Sequence, residues 1–255
     1  MTVRLELIAL EGFPLVEPGD DLVQLVATAL AAHGLTLQSG DVLVIAQTVV
    51  SKAEGRYVRL AEVTPGARAH ELAAQTGKDP RLVELVLRES REVIRARPGV
   101  LIVEHRNGYV HANAGIDRSN ITHGAEDPRV LLLPEDPDGS AASLRGGLAE
   151  LTGVAPQVII NDSVGRAWRN GTVGIAIGCS GLLPLHDQVG EGDLFGNVLE
   201  VTEPAVADEL AAAASLLMGQ AAEARPVVLA RGLALRAGDA GSAALLRDRA
   251  MDLFR

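Results

Sequence analysis

Along residues 20–34 (DDLVQLVATALAAHG) Leu and Val recur on one side of a 3.6-residue turn, behind an Asp cap and ahead of Gly34. That spacing predicts an amphipathic helix. Residues 41–50 (DVLVIAQTVV) form an apolar, β-branched run after a Ser-Gly turn, which predicts a buried strand. Asp79 as cap with Pro80 at the first helical position predicts a second helix through Ser90. LIVEHR and YVHAN flank Asn107-Gly108, which predicts a hairpin over 100–113 closed by a type I′ turn. Further strands are expected at VLLLP, ending at Pro134, at 157–162, and at TVGIAIGCSG, VLEVTEPA and PVVLARGL. Helices are expected at about 140–152, at 206–219 and, as a short final element, at 241–254. Strands and helices mix without strict βαβ alternation and without a fixed repeat. The expected fold class is therefore α+β or mixed α/β, a single two-lobed unit over 1–255 with mixed sheets. The stretch 134–140 (PEDPDGS) is the expected lobe boundary.

Composition narrows the setting. Aromatic residues are 2% of the chain, so the core must be built from Leu, Val, Ile and Ala. Acidic residues number 33 against 23 basic ones, a net charge of −10, which argues against a nucleic-acid or anionic-membrane surface. No apolar run reaches membrane-spanning length and the N-terminus shows no leader pattern, so a cytoplasmic protein is expected. A single cysteine, Cys179, allows neither an internal disulfide nor a cysteine zinc site. It reads as a small buried residue. Lys52 and Lys78 are the only lysines, which draws attention to their surroundings.

Several known signatures are absent. Gly77-Lys78 is followed by Asp79, so there is no P-loop, and no G-x-G-x-x-G follows a strand. Gly178-Cys179-Ser180-Gly181 is not a nucleophile elbow. What remains are polar residues at the ends of apolar strands, where sites are commonly assembled. One group runs from Thr48 to Arg56 and offers hydroxyls, Lys52 and an arginine beside a Gly turn; a lysine there suits a phosphate, but the segment on its own reads as a polar hairpin end. A second, Asn113 to Asn120, gathers Asp117, Ser119 and Asn120, and suits oxygen ligation, sugar binding or purely local turns. The third is the most pointed. The strand ending in Asn161 delivers Asp162 and Ser163, then a Gly turn and the pair Arg166 and Arg169. A carboxylate beside a hydroxyl suits Mg²⁺ or Mn²⁺, and arginines suit carboxylate or phosphate oxygens. Gly219 reads as a helix C-cap. The histidines at 33, 70, 105, 111, 123 and 186 show no ligand spacing; His33 and His70 read as structural. Trp168 reads as packing either on substrate or at a core edge.

Taken in order, GFPLVEPGDDL, GDVLVIAQTVVSKAEGR, VELVLRES, NAGIDRSN, LLPEDPDGSA, IINDSVGRAWRNG, VGIAIG, DLFG and VADELAAAASLLMG with RPVVLARGL span residues 12–233. This series resembles the coenzyme F420-0:L-glutamate ligase (γ-glutamyl ligase) family. The resemblance implies a GTP-dependent amide ligase that lengthens the glutamate tail of a deazaflavin cofactor, acting on F420-0 and L-glutamate. It implies a homodimer with a two-lobed mixed fold, without the C-terminal nitroreductase-like domain that some relatives carry. Nucleotide contacts are implied at Phe13, Pro14, Leu15, Val16, Gln47, Thr48, Lys52 and Asn120, and over Met218, Gly219, Gln220, Ala221, Ala222, Glu223, Ala224 and Arg225. A divalent metal, Mg²⁺ or Mn²⁺, is implied at Asp117, Asp162, Ser163 and Gln220, with K⁺ as a further candidate ion. Ser163 replaces the Thr usual in relatives and keeps the hydroxyl. Gln220 stands at a commonly acidic position, and His186-Asp187-Gln188 departs from an aromatic-bearing loop. Lys52, Arg166 and Arg169 are the expected catalytic cations, the arginines holding an anionic substrate group. A ligase for another carboxylate acceptor, or a nucleotide- and metal-binding regulator without turnover, are the alternative readings.

Overall fold

The computed structural model describes residues 3–121 and 128–252; His123 and the last residues of the expected 241–254 helix lie outside them. In chain order the elements are β1 (Glu6–Ala9), α1 (Leu22–Ala32), β2 (Val42–Ala46), α2 (Gln47–Ala53), β3 (Tyr57–Arg59), α3 (Ala67–Thr76), α4 (Pro80–Arg88) and β4 (Ser90–Arg97). Then follow β5 (Val100–His105), β6 (Val110–Ala112), β7 (Arg129–Leu131), α5 (Pro137–Thr152), β8 (Gln157–Arg166), β9 (Arg169–Ser180), α6 (Val206–Met218) and β10 (Val227–Arg231). The fold is mixed α+β, as the chain pattern predicts.

The main sheet has the order β1-β10-β2-β8-β9; β2 and β8 pair in parallel and the other pairs are antiparallel. Its central strands are continuous apolar runs because both faces are covered. Leu43, Ile45, Val158, Ile160, Val227 and Leu229 point to one face and pack with α1, α2 and α5. The alternate residues Val42, Val44, Ile159, Val228 and Ala230 point to the other face and meet α6. This is the two-residue period of a strand used twice over. The alanines of α6 let it lie close. A Cβ on Gly174 of β9 would fall 2.5 Å from the Ala211 carbonyl oxygen. A second core gathers Leu72, Val83, Val86, Leu101, Val103, Ile116 and Val130 from α3, α4, β5, β7 and the loop after β6. The small sheets β3-β7 and β4-β5-β6 belong to this part of the chain.

Several expectations are corrected. The apolar run 41–50 is strand only to Ala46 and turns helical at Gln47. The second helix ends at Arg88, and Ser90 opens β4, a strand the sequence reading missed together with β1, β3 and α3. The hairpin β5-β6 forms, but only Gly108 of the Asn107-Gly108 pair takes a positive φ (+98°). A type I′ turn needs both. Here the His105 carbonyl accepts from Gly108 and the His105 N–H donates to Tyr109, a longer loop with Gly at the left-handed position. VLEVTEPA is not a strand; only Val198 bridges, to Gly192. In place of the final helix there are two short 3-10 turns, Ser242–Leu245 and Arg249–Met251. Cys179 is buried, and burial pushes its thiol up to about 12, so it is inert. His33 is structural: its ring nitrogens contact the Glu11 N–H and the Ala29 carbonyl. Trp168 is 86% exposed at the β8-β9 tip and anchors no core edge.

Candidate functional site

The register of the main sheet assembles the site. Ala46, the last residue of β2, pairs with Asn161, so Asp162 and Ser163 emerge where α2 begins. β10 runs the opposite way, and the Ala46 N–H donates to the Pro226 carbonyl, which brings the segment after α6 to the same end. β1 is antiparallel to β10, so the chain from Phe13 to Val16 also leaves at that end. Ligands commonly bind beyond the carboxyl ends of parallel strands. A cavity of about 760 Å³ opens there, closed on its remaining side by the loop 111–121 from the second core.

Its walls contain Phe13, Pro14, Leu15, Val16, Gln47, Thr48, Lys52, Asp117, Asn120, Asp162 and Ser163, together with Met218 to Ala222, Ala224 and Arg225. The structure therefore gathers almost every residue singled out in the sequence. Thr48 and Lys52 are four residues apart on α2 and so share a face. The buried Ser51 on the other side donates to Gln47 Oε1 at 2.9 Å. Lys52 Nζ donates to the Asn120 carbonyl at 2.6 Å, tying α2 to the loop from the second core. Burial lowers the Lys52 ammonium below its ordinary range, against the opposing pull of Glu17 and Asp117.

The two carboxylates are held from different directions. Asp117 forms a backbone bridge with Leu131 of β7 (2.8 and 2.9 Å), and its Oδ1 accepts from both the N–H and the hydroxyl of Ser119. Asp162 Oδ1 accepts from the Ser163 N–H at 2.8 Å. Burial pushes the Asp162 carboxyl up to about 7; that single hydrogen bond opposes the shift and the charge of Asp117 adds to it. Asp117, Asp162, the Ser163 hydroxyl and the Gln220 amide all belong to residues of the cavity wall, and hard oxygen donors of this kind fit Mg²⁺ or Mn²⁺. Among the described residues no group of three or more His, Cys, Asp or Glu is placed to hold a metal, so any such site relies on these neutral oxygens.

The walls also store backbone strain. Asn113, Ala114, Asn120 and Ala224 take positive φ values of 51–54°, and all lie in or beside the cavity lining. After α6, Gly219 caps the helix with φ +75°, and a Cβ there would fall 2.2 Å from Glu223 Cδ. Glu223 accounts for that demand. Its carboxylate folds back beneath Gly219 and accepts from the Ala221 N–H at 2.8 Å, so it shapes the loop and does not line the cavity.

Arg166 and Arg169 are not brought into the cavity. They pair with each other at the exposed tip of β8-β9, and Arg166 lies about 10 Å of strand past Ser163 at ~3.3 Å per residue. The sequence reading missed Glu17, Tyr57, His111 and Asn161, which also line the cavity. For Glu17, Asn161 and Tyr57 a signal existed, since the first two lie inside quoted motifs and the third adjoins one.

A strand-end cavity walled by Lys52, Asp117, Asp162 and glycine-shaped loops marks the chain as an α+β protein with a polar pocket. A profile described as F420-0:gamma-glutamyl ligase matches residues 12–232, and the chain belongs to that family. It is 50% identical to a coenzyme F420:L-glutamate ligase of Methanothermobacter thermautotrophicus, over 98% of this chain and 99% of that one. Proteins of the same name from Methanopyrus kandleri (47%; 100% and 98% covered) and Archaeoglobus fulgidus (46%; 99% and 97%) are similarly close. Among the described residues no helix is long and apolar enough to cross a membrane.

Proposed function

We propose that this chain is a cytoplasmic ligase of F420 biosynthesis that joins L-glutamate to coenzyme F420-0, consuming GTP and requiring Mg²⁺ or Mn²⁺. The observation that carries the reading is the convergence of the family's expected nucleotide and metal positions, from five distant segments, on one cavity. A free carboxylate does not react with an amine in water, so the acid must first be activated. The γ-phosphoryl group of GTP passes to the terminal carboxylate of F420-0, releasing GDP and leaving an acyl phosphate. The α-amine of L-glutamate attacks that carbonyl; the C–N bond forms, the C–O bond to phosphate breaks, and the amine gives up a proton. Phosphoryl transfer asks mainly for positioning and charge neutralisation.

Lys52 supplies a positive charge on a fixed helical face, steadied by the Asn120 carbonyl, for phosphate oxygens in the cavity. The loop from Met218 to Arg225, pinned by Glu223, and the segment Phe13 to Val16 enclose the nucleotide. A divalent cation on Asp117, Asp162, Ser163 and Gln220 would supply the remaining neutralisation of phosphate charge. Val164 and Gly165 extend the wall towards the exposed arginine pair, which our reading leaves for the outer, anionic end of a substrate.

We further propose a homodimer. Trp168, Leu194, Phe195 and Val201 are each 86% exposed or more on the β8-β9 tip and the 187–202 segment, an apolar display that suits cover by a second copy. A light-scattering mass of one chain would refute this. The activity is tested by mass spectrometry after incubation with F420-0, L-glutamate, GTP and Mn²⁺ or Mg²⁺. The expected result is a product heavier by one or more glutamyl groups that depends on both GTP and metal. GTP hydrolysis coupled only to a different carboxylate would move the assignment to another acceptor, and intact GTP with all components present would refute the ligase.

A further inference from the structure

β6 carries His111 into the cavity wall beside Asp162. The imidazole is 3% exposed, and its Nδ1 lies 3.8 Å from Asp162 Oδ2. Its Nε2 is buried with no hydrogen-bond partner. The ring is held on several sides. A Cβ on Gly115 would sit 2.7 Å from the ring Cε1 and 2.8 Å from Leu133 Cδ1, so only bare glycine backbone fits against it. His105 and Tyr109 meet the ring edge-on, each with centroids 6.2 Å away.

A ring fixed in this way presents one nitrogen to the carboxylate and hides the other. With its proton on Nδ1 it can donate towards Asp162 and leave a lone pair orphaned at Nε2. That costs less than orphaning an N–H, because buried acceptors go unpaired more readily than buried donors. The separation exceeds an N–H···O bond by about 0.8 Å. Asp162 is tethered through Oδ1 to the Ser163 N–H, so a swing about that tether brings Oδ2 to the ring.

We propose that His111 is a positioning residue for Asp162, its Nδ1–H fixing the second carboxylate oxygen and so setting how Asp162 meets a divalent cation. Partners of this kind orient a ligand without touching the metal. The inference rests on reading Asp117, Asp162, Ser163 and Gln220 as a cation site.

The test is Mn²⁺ binding alone, followed by loss of the free-ion electron paramagnetic resonance signal. It compares the wild-type protein with His111→Asn, His111→Gln, His111→Leu and Asp162→Asn, each checked by circular dichroism melting. An Asn amide can occupy the place of Nδ1, whereas a Gln amide reaches that of Nε2. Expected is binding by His111→Asn close to wild type, a loss of roughly 10- to 100-fold in His111→Leu and His111→Gln, and no binding by Asp162→Asn. Wild-type affinity in a folded His111→Leu, with Asp162→Asn silent, overturns the role of His111 and leaves the cation site standing. Equal weakening in His111→Asn and His111→Leu also overturns it, since the ring would then matter only as packing. Absence of Mn²⁺ binding by the wild-type protein overturns the cation site and this inference together.

Discussion

Replacing Asp162 by Asn in the metal-free protein should stabilise the fold, and the gain should grow with pH. The side chain is 12% exposed, and burial moves its carboxyl from the ordinary 3.8 up to about 7. Between those values the folded state holds a proton that the unfolded chain releases, so stability falls as pH rises through the window. Below about pH 3.8 the group costs nothing, and above about pH 7 the cost is complete. At about 1.36 kcal/mol per pH unit, the full interval amounts to about 4 kcal/mol. Asn keeps the oxygen that accepts from the Ser163 N–H and carries no charge to desolvate. The expected gain is about 2–4 kcal/mol at pH 8, a rise in Tm on the order of 5–15 °C for a chain of this size. It should shrink to under about 1 kcal/mol near pH 4. Scanning calorimetry of both proteins, dialysed free of metal, across pH 4–8 measures this directly. A variant that is less stable, or a difference flat with pH, would refute the reasoning. Excess Mn²⁺ should close most of that gap: at a hundred times its Kd it would stabilise the wild-type protein by about 2.7 kcal/mol and leave Asp162→Asn unmoved.

Four further outcomes are expected. Lys52→Met should lower ligase turnover by about two to three orders of magnitude, on the scale of losing one charge-stabilising donor. Its Tm should not fall, because the partly desolvated ammonium is removed; turnover assays and melting curves separate the two effects. Arg231→Ala should cost about 3 kcal/mol in urea unfolding. Asp41 is 1% exposed and takes both arms of the guanidinium, at 2.8 and 2.7 Å, across β2 and β10. Arg4→Ala, which breaks an exposed pair with Glu6, should change the midpoint by less than about 0.5 kcal/mol. Gly174→Ala should destabilise by about 1–3 kcal/mol, since its Cβ would lie 2.2 Å from Ser215 Oγ and 2.5 Å from Asn161 Oδ1; equal midpoints would show that α6 shifts freely.

The chain pattern made the central strands and the helices α1, α5 and α6 legible because their burial is periodic and their caps are local. Asp21 accepts from the Val23 and Gln24 N–H groups, and Gly34 and Gly153 turn left-handed after their helices. The errors fall where a partner decides the outcome. Val49 and Val50 suit a strand as well as a helix, and the run ends as strand at Ala46 because the ladder ends there: β10 begins at Val227, opposite Ile45. VLEVTEPA alternates like a strand, but no strand pairs with it beyond one bridge, and Val198 and Val201 stay exposed. In β4 the Arg and Glu residues of SREVIRAR hide a strand whose Val93 and Ala96 pack, partly buried, against the second core. His111 carried no signal, since its neighbour Asp162 lies on a different sheet.

The same division explains why the site sits at a seam. Asp162 hangs from β8, whose flanking residues are locked into the two cores of the main sheet. Asp117 hangs from a bridge to β7, next to Ile116 and Val130 of the second core. Their repulsion therefore acts between side chains anchored in separate cores. Lys52, hydrogen-bonded across the seam to Asn120, is a cation of the same cavity wall. Burial lowers the Lys52 ammonium while it raises the Asp162 carboxyl, so the fold by itself compensates charge at Asp162 poorly. A polyanion entering such a cavity would deepen the deficit. A divalent cation on the same oxygens is the simplest charge balance that lets nucleotide and acidic substrate share the space.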